Sequence, residues 1–167
     1  KMIVDLEINY IDERWRRFDF KKYVKILLRT DFVLSKIRNR EISLSLLACS
    51  DKEIKILNYT YLGKNKITNV LAWPAEQING FYNPTKQEKK IKNKTFLGDI
   101  AISFDYCLKE AKIYKRSFDK HCCHLLVHAV LHLMGYDHIS GNDASKMQKI
   151  ENRILRKMQM QIFQKNI

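Results

Sequence analysis

No stretch of this sequence approaches the roughly 20 consecutive apolar residues that a bilayer-spanning helix needs. The first ten residues, KMIVDLEINY, alternate apolar with polar side chains and lack the hydrophobic centre of a secretory leader. Neither a membrane nor a secreted protein is expected, and the chain is read as cytoplasmic. Cysteine is sparse, at Cys49, Cys107, Cys122 and Cys123. None forms a C-x-x-C pair, and the adjacent Cys122 and Cys123 make a poor metal clip, so reduced thiols are expected. Acidic side chains are in short supply, 18 against 31 Lys and Arg, which leaves a net charge of +13. Such an excess points to an anionic partner, nucleic acid or a membrane surface. There is no internal repeat and no clear domain boundary. What is present is 167 residues, 46% hydrophobic and 29% charged, which suits one globular domain with a single core.

Strand and helix patterns are mixed along the chain. Residues 2–8 alternate Ile3 and Asp5 with Val4, Leu6 and Ile8, as an edge or half-buried strand does. Residues 10–38 predict one or two amphipathic helices, with Arg14, Arg16, Arg17, Lys21, Lys22 and Lys25 on the wet side. Strands are predicted over 41–49, 68–73 and 95–104. Ser50 and Glu53 form a capping box that starts a helix, and Gly63 stops it. The polar stretch 75–94 reads as a mobile, lysine-rich loop. A short helix follows over 105–114. Residues 119–134 predict a helix that is apolar nearly all round and therefore buried. A final helix carries Met147, Ile150, Ile154, Met158 and Ile162 at spacings of three and four. These elements predict an α+β or α/β fold of about four strands packed with helices.

All five histidines fall between His121 and His138. His128 and His132 lie four apart on one helix face, so two imidazoles can meet one metal ion. Gly135 then turns the chain, and His138 follows six residues after His132. The run HAVLHLMGYDH has the ligand spacing of metzincin zinc sites. Three neutral imidazoles plus water make an open, catalytic type of zinc site. A peptidase would carry its general-base Glu directly after the first His, and Ala129 stands there. An alternative ligand pair is His124 with His128. Otherwise His124 is a partner of the ligands or a core residue, and His121 is expected at the surface. Asp137 either accepts a hydrogen bond from a ligand imidazole or holds the turn.

The same run resembles H-G-x-L-H-L-x-G-Y-D-H, the signature of the YbeY family of metal-dependent endoribonucleases, with Ala129 in place of Gly. A second block, Leu57-Asn58-Tyr59-Thr60-Tyr61 through Thr68-Asn69-Val70-Leu71 to Pro74, is similar to that family's L-N-x-x-Y-R-x-x-D-x-P-T-N-V-L-S-F-P. A third, Leu97-Gly98-Asp99-Ile100, resembles its L-G-D-I strand. The resemblance covers roughly residues 40–165. It implies a mixed, mostly parallel sheet of about four strands in a single domain, with the metal site on a buried helix and the following turn. It also implies single-strand-specific cleavage of RNA in ribosomal RNA maturation, notably of the small-subunit RNA, and in ribosome quality control. The metal ligands would be His128, His132 and His138, with one zinc ion per chain. Implied partners are single-stranded RNA and the small ribosomal subunit or its proteins.

The departures carry consequences. The resemblance implies an Arg after Tyr61, facing the metal, and Leu62 stands there. Asn65 replaces an Asp, Ile67 a Pro, Ala72 a Ser and Trp73 a Phe. Lys64 and Lys66 either substitute for the missing cation or are solvated loop lysines. With Asn69 they are the candidates for substrate binding. Trp73 either stacks on unpaired bases or packs in the core. The alternative function is a ribosome-assembly or RNA-binding factor with a structural metal and weak or no nuclease activity, because of Leu62.

Overall fold

In the computed structural model, which describes residues 2–37, 41–75, 94–137 and 141–163, alternating and apolar strands take different places in one sheet. The strands are β1 (Ile3–Tyr10), β2 (Glu41–Cys49), β3 (Val70–Pro74) and β4 (Lys94–Ser103), ordered β1-β2-β4-β3. β1, β2 and β4 run parallel, and β3 is antiparallel on β4. The central β2 and β4 supply most of the buried strand residues, with Ile42, Leu44, Leu46, Ile100 and Ile102 in the larger core, while Phe96 and Asp99 of β4 stay exposed. β1 sits at one edge and keeps strict alternation of exposed and half-buried residues. The sheet is therefore mixed and mostly parallel in an α+β fold. Beyond its two end residues, the predicted loop over 75–94 lies outside the described residues, as does His138.

The helices are α1 (Phe20–Leu28), α2 (Asp31–Lys36), α3 (Asp51–Leu62), α4 (Phe104–Ile113), α5 (Phe118–Leu133) and α6 (Gly141–Phe163). A 3-10 turn, Glu13–Arg17, precedes α1. Two carboxylate caps divide the predicted helical region over 10–38. Asp12 accepts the Arg14 N–H at 3.0 Å, and Asp19 accepts the Lys22 N–H at 3.0 Å. Each cap satisfies a donor that has no partner at a helix start.

The larger core lies on the sheet face covered by α1 and α5, with α6 packed on both. Its aromatic centre is Trp15, fully buried, with Phe20, Phe104 and Phe118 at ring distances of 5.1, 5.2 and 5.6 Å. The Trp15 indole N–H donates to the Cys49 carbonyl at 2.9 Å, so its one polar atom is satisfied. On the opposite face α3 covers a smaller cluster of Cys49, Ile54, Leu71 and Ala101. All four cysteines are buried free thiols, and burial pushes Cys49 and Cys123 up to about 12.

The strand β4 holds an irregularity that ordinary alternation does not predict. Its register with β2 shifts between Ser43 and Ser45, which oppose Phe96 and Asp99. Two steps on β2 match three on β4, which is a β-bulge. Leu97 and Ile100 thereby both join the larger core although three positions separate them. Gly98 sits in the bulge at φ +134°, a conformation that suits only glycine.

Candidate functional site

A cleft of about 630 Å³ opens between α5 and β3. One wall is the α5 face bearing His124, His128, Ala129 and His132. The other runs from Leu62 and Lys64 to the β3 residues Val70, Leu71 and Ala72, and Asp137 lies at the rim. A hollow of about 690 Å³ lies elsewhere, against β1, and contains no histidine.

Local chemistry fixes both walls. At the start of α3, Ser50 and Glu53 form the predicted capping box. At its end Gly63 adopts the left-handed conformation at φ +67°, and its N–H reaches the Tyr59 carbonyl at 2.9 Å. Asn58, 2% exposed, donates its side-chain amide to the Lys66 carbonyl at 2.8 Å. This bond folds residues 63–66 back on the helix and carries Leu62 and Lys64 to the cleft. The Lys66 side chain is exposed and does not line it. Asn69 lines the cleft with both ends of its amide engaged. Its oxygen accepts the Val70 N–H at 2.7 Å, and its nitrogen donates to Glu110 at 3.0 Å. It anchors the start of β3.

The histidines of α5 are ordered by one carboxylate. Glu151 of α6 is 6% exposed. It accepts from His128 Nδ1 at 2.6 Å and from His124 Nε2 at 3.3 Å. Burial raises this carboxyl, but the two imidazole hydrogen bonds outweigh burial and hold it at about 2. An ionised carboxylate only accepts, so His128 carries its proton on Nδ1 and presents the Nε2 lone pair. The Arg116 guanidinium donates to His124 Nδ1 at 2.8 Å, so both ring nitrogens of His124 are engaged. His128 Nε2 and His132 Nε2 stand 3.0 Å apart, with the rings 80° to each other.

Two nitrogens bound to one tetrahedral zinc at about 2.0–2.1 Å lie about 3.3 Å apart, so this pair fits a metal ion. Among the described residues no three His, Cys, Asp or Glu groups close on one metal position. The third predicted ligand, His138, is outside those residues. Ala129 is fully buried in the cleft floor, and no carboxylate stands where a peptidase needs its base.

His121 corrects the expectation of a surface residue. It is 3% exposed, because α4 covers the first turns of α5 and supplies Glu110, whose carboxylate meets His121 Nε2 at 2.8 Å. Burial lowers the imidazole pKa and Glu110 partly offsets it. A histidine held neutral in the fold contributes full stability above its unfolded value near 6.5. That contribution is lost as pH falls through the depressed folded value. Wild-type protein is therefore expected to lose stability between pH 7 and pH 5. His121→Gln should lose less, by up to about 1.4 kcal/mol per pH unit. Urea unfolding at both pH values tests this, and equal losses in the two proteins would refute it.

The sequence reading missed Glu151, Glu110 and Arg116. Glu151 left a signal, because Met147, Glu151, Ile154 and Met158 form one buried stripe at spacings of four, three and four. A carboxylate on such a stripe needs a partner. Trp73 is half-buried on the α3 side of β3, edge-on to Tyr61 at 5.5 Å.

Comparison with known proteins agrees across fold and sequence. The family model described as Endoribonuclease YbeY matches residues 7–159. A protein named Endoribonuclease YbeY from Ruegeria sp. is 38% identical over 160 residues, 94% of this chain and 93% of its own. Another of that name, from Alkaliphilus metalliredigens, is 36% identical over 154 residues, covering 89% and 93%. A solution structure of a Thermotoga maritima protein superposes with a TM-score of 0.62 at 18% identity, over 96% of this chain and 93% of that one. At that identity the likeness speaks for the fold.

Proposed function

Because this chain belongs to the YbeY family of endoribonucleases, we propose that it is a metal-dependent endoribonuclease that cuts single-stranded RNA in the cleft between α5 and β3. The observation that carries this reading is the converging His128 and His132 pair, ordered through Glu151. His128 and His132 would hold the metal, with His138 as the third ligand, and zinc is the ion such donors favour. A metal bound there supplies a Lewis acid and a water of lowered pKa. Glu151 keeps the His128 proton on Nδ1, away from the cleft. Lys64, which lines the same cleft, meets the phosphate. The net charge of +13 favours the RNA backbone, with affinity falling as salt rises. The cellular role we propose is maturation of ribosomal RNA, notably of the small subunit, and ribosome quality control in the cytoplasm.

Leu62 is the specific observation behind the alternative of an assembly factor with weak or no nuclease activity. It is 49% exposed and lines the cleft where the family resemblance implies an Arg. The two readings separate in one experiment on labelled single-stranded RNA, with a paired duplex as control. The nuclease reading expects cleavage of the single strand only, suppressed by a chelator and restored by zinc. Lys64→Ala should slow it, and Leu62→Arg should quicken it by up to about a hundredfold, the reverse of removing a transition-state donor. RNA binding without cleavage in every variant would leave the assembly-factor reading.

A further inference from the structure

We infer that the free edge of β1 and the adjoining face of α1 form a docking groove for an extended acidic peptide, which adds to the sheet as a fifth strand. β1 is the terminal strand of the sheet and pairs on one side only among the described strands. Its eight residues contain no proline, and its register with β2 is unbroken. Natural edges are usually blunted by short length, proline, charge or a bulge. Of these the edge has only the charge of Asp5 and Glu7, and its row of main-chain donors and acceptors has no strand partner among the described residues.

The hollow of about 690 Å³ beside it has an apolar floor, a basic wall and one carboxylate, Asp5, which is paired with Lys94 at 3.4 Å. The floor is Met2, Val4 and Leu6, each half-buried. The wall is Lys21 and Lys25 of α1 and Arg29 at its C-terminal cap, spaced four apart. The Arg29 guanidinium donates to the Met2 carbonyl at 3.3 Å, which ties this end of the stripe to the start of β1. Among the described residues, none of these three cations lies within ion-pairing distance of a carboxylate. Four helical residues rise about 6.0 Å, and two strand residues about 6.6 Å. The cations thus repeat at nearly the pitch of alternate side chains on an added strand.

That match selects the occupant. Alternate residues facing α1 should be acidic, and those between them should not be, because they lie beside Asp5 and Glu7. A second copy of β1 would set those carboxylates against their own kind, which disfavours self-pairing. An RNA backbone would use the cations but neither the open main-chain edge nor the apolar floor. Peptides that add to a sheet edge draw affinity from main-chain bonds and specificity from alternate side chains.

The test uses the full chain and a fluorescein-labelled, end-blocked peptide of four Glu-Thr repeats, followed by anisotropy. A Lys-Thr peptide of equal length and a labelled single-stranded RNA serve as comparisons. Saturable binding of the Glu-Thr peptide alone among the two peptides is expected. It should weaken at least about tenfold in Lys21→Glu/Lys25→Glu/Arg29→Glu, a loss of about 1.4 kcal/mol. Lys21→Ala/Lys25→Ala, which keeps the Arg29 bond, should weaken it less. Bound peptide should also slow amide exchange in β1. Absence of saturable binding, affinity unchanged by charge reversal, or β1 amides left unprotected would each overturn the proposal. So would a groove where charge reversal abolishes RNA binding and the peptide does not bind. RNA cleavage is not a readout, so the outcome is independent of the nuclease reading.

Discussion

His132→Ala is expected to leave single-stranded RNA uncut where the wild type cleaves it, a loss of more than about a hundredfold. Removing a partner of a metal ligand already costs about 10- to 100-fold in metal affinity or activity, and removing a ligand should cost more. His132 Nε2 faces His128 Nε2 at 3.0 Å, so alanine deletes half of the described donor pair. The fold should survive, because His132 is half-buried at the cleft wall and the α5 core residues are untouched. Unchanged circular dichroism, lowered bound zinc and lost cleavage form the expected set. Glu151→Gln should fall between mutant and wild type, since it keeps the shape at α6 and removes the charge that orders His128. Wild-type cleavage by His132→Ala would show that the chemistry lies elsewhere in the molecule.

The second large effect concerns the fold. Gly98→Ala places a Cβ 2.1 Å from the Trp73 carbonyl oxygen, 2.9 Å from the Ala75 nitrogen and 3.1 Å from Leu133 Cδ2. The first two are backbone atoms of β3 and of the residue that follows it, and cannot step aside as a flexible side chain would. The positive φ adds strain of about 1–3 kcal/mol, and overpacking adds about 1–3 kcal/mol more. Domains of this size are stable by only about 5–15 kcal/mol, so the urea midpoint should fall steeply. β3 gives way first, because it is a short strand at the sheet edge that pairs only with β4 among the described strands. The cleft loses a wall with it, so RNA cleavage should fall before the protein unfolds globally. A midpoint within error of wild type would contradict the bulge geometry.

Local signals carried much of this architecture. The capping box at Ser50 and Glu53 uses short-range hydrogen bonds, so four residues suffice to read it. The burial of α5 follows from apolar residues nearly all round it, and the edge position of β1 from its alternation. The predicted surface position of His121 failed because its burial depends on Glu110, eleven residues away on another helix. Glu151 was hidden for a related reason. On the terminal helix Ile150 packs against the core as its period predicts, and Glu151 beside it is buried as well, which only its histidine partners on α5 explain. The bulge at Gly98 shifts strand phase by one residue, which no periodicity can announce. Among the candidate substrate residues, Lys64 lines the cleft, Lys66 does not, and Asn69 is committed to holding β3 in place.

The Glu151 hydrogen bonds also impose a temporal order on the molecule. During synthesis the α5 histidines leave the ribosome before the residue that orients them, because Glu151 follows His128 by 23 positions. Until α6 docks, His128 has no carboxylate to accept from Nδ1 and samples both tautomers. Docking of the terminal helix is the step that fixes its proton on Nδ1 and leaves Nε2 toward His132.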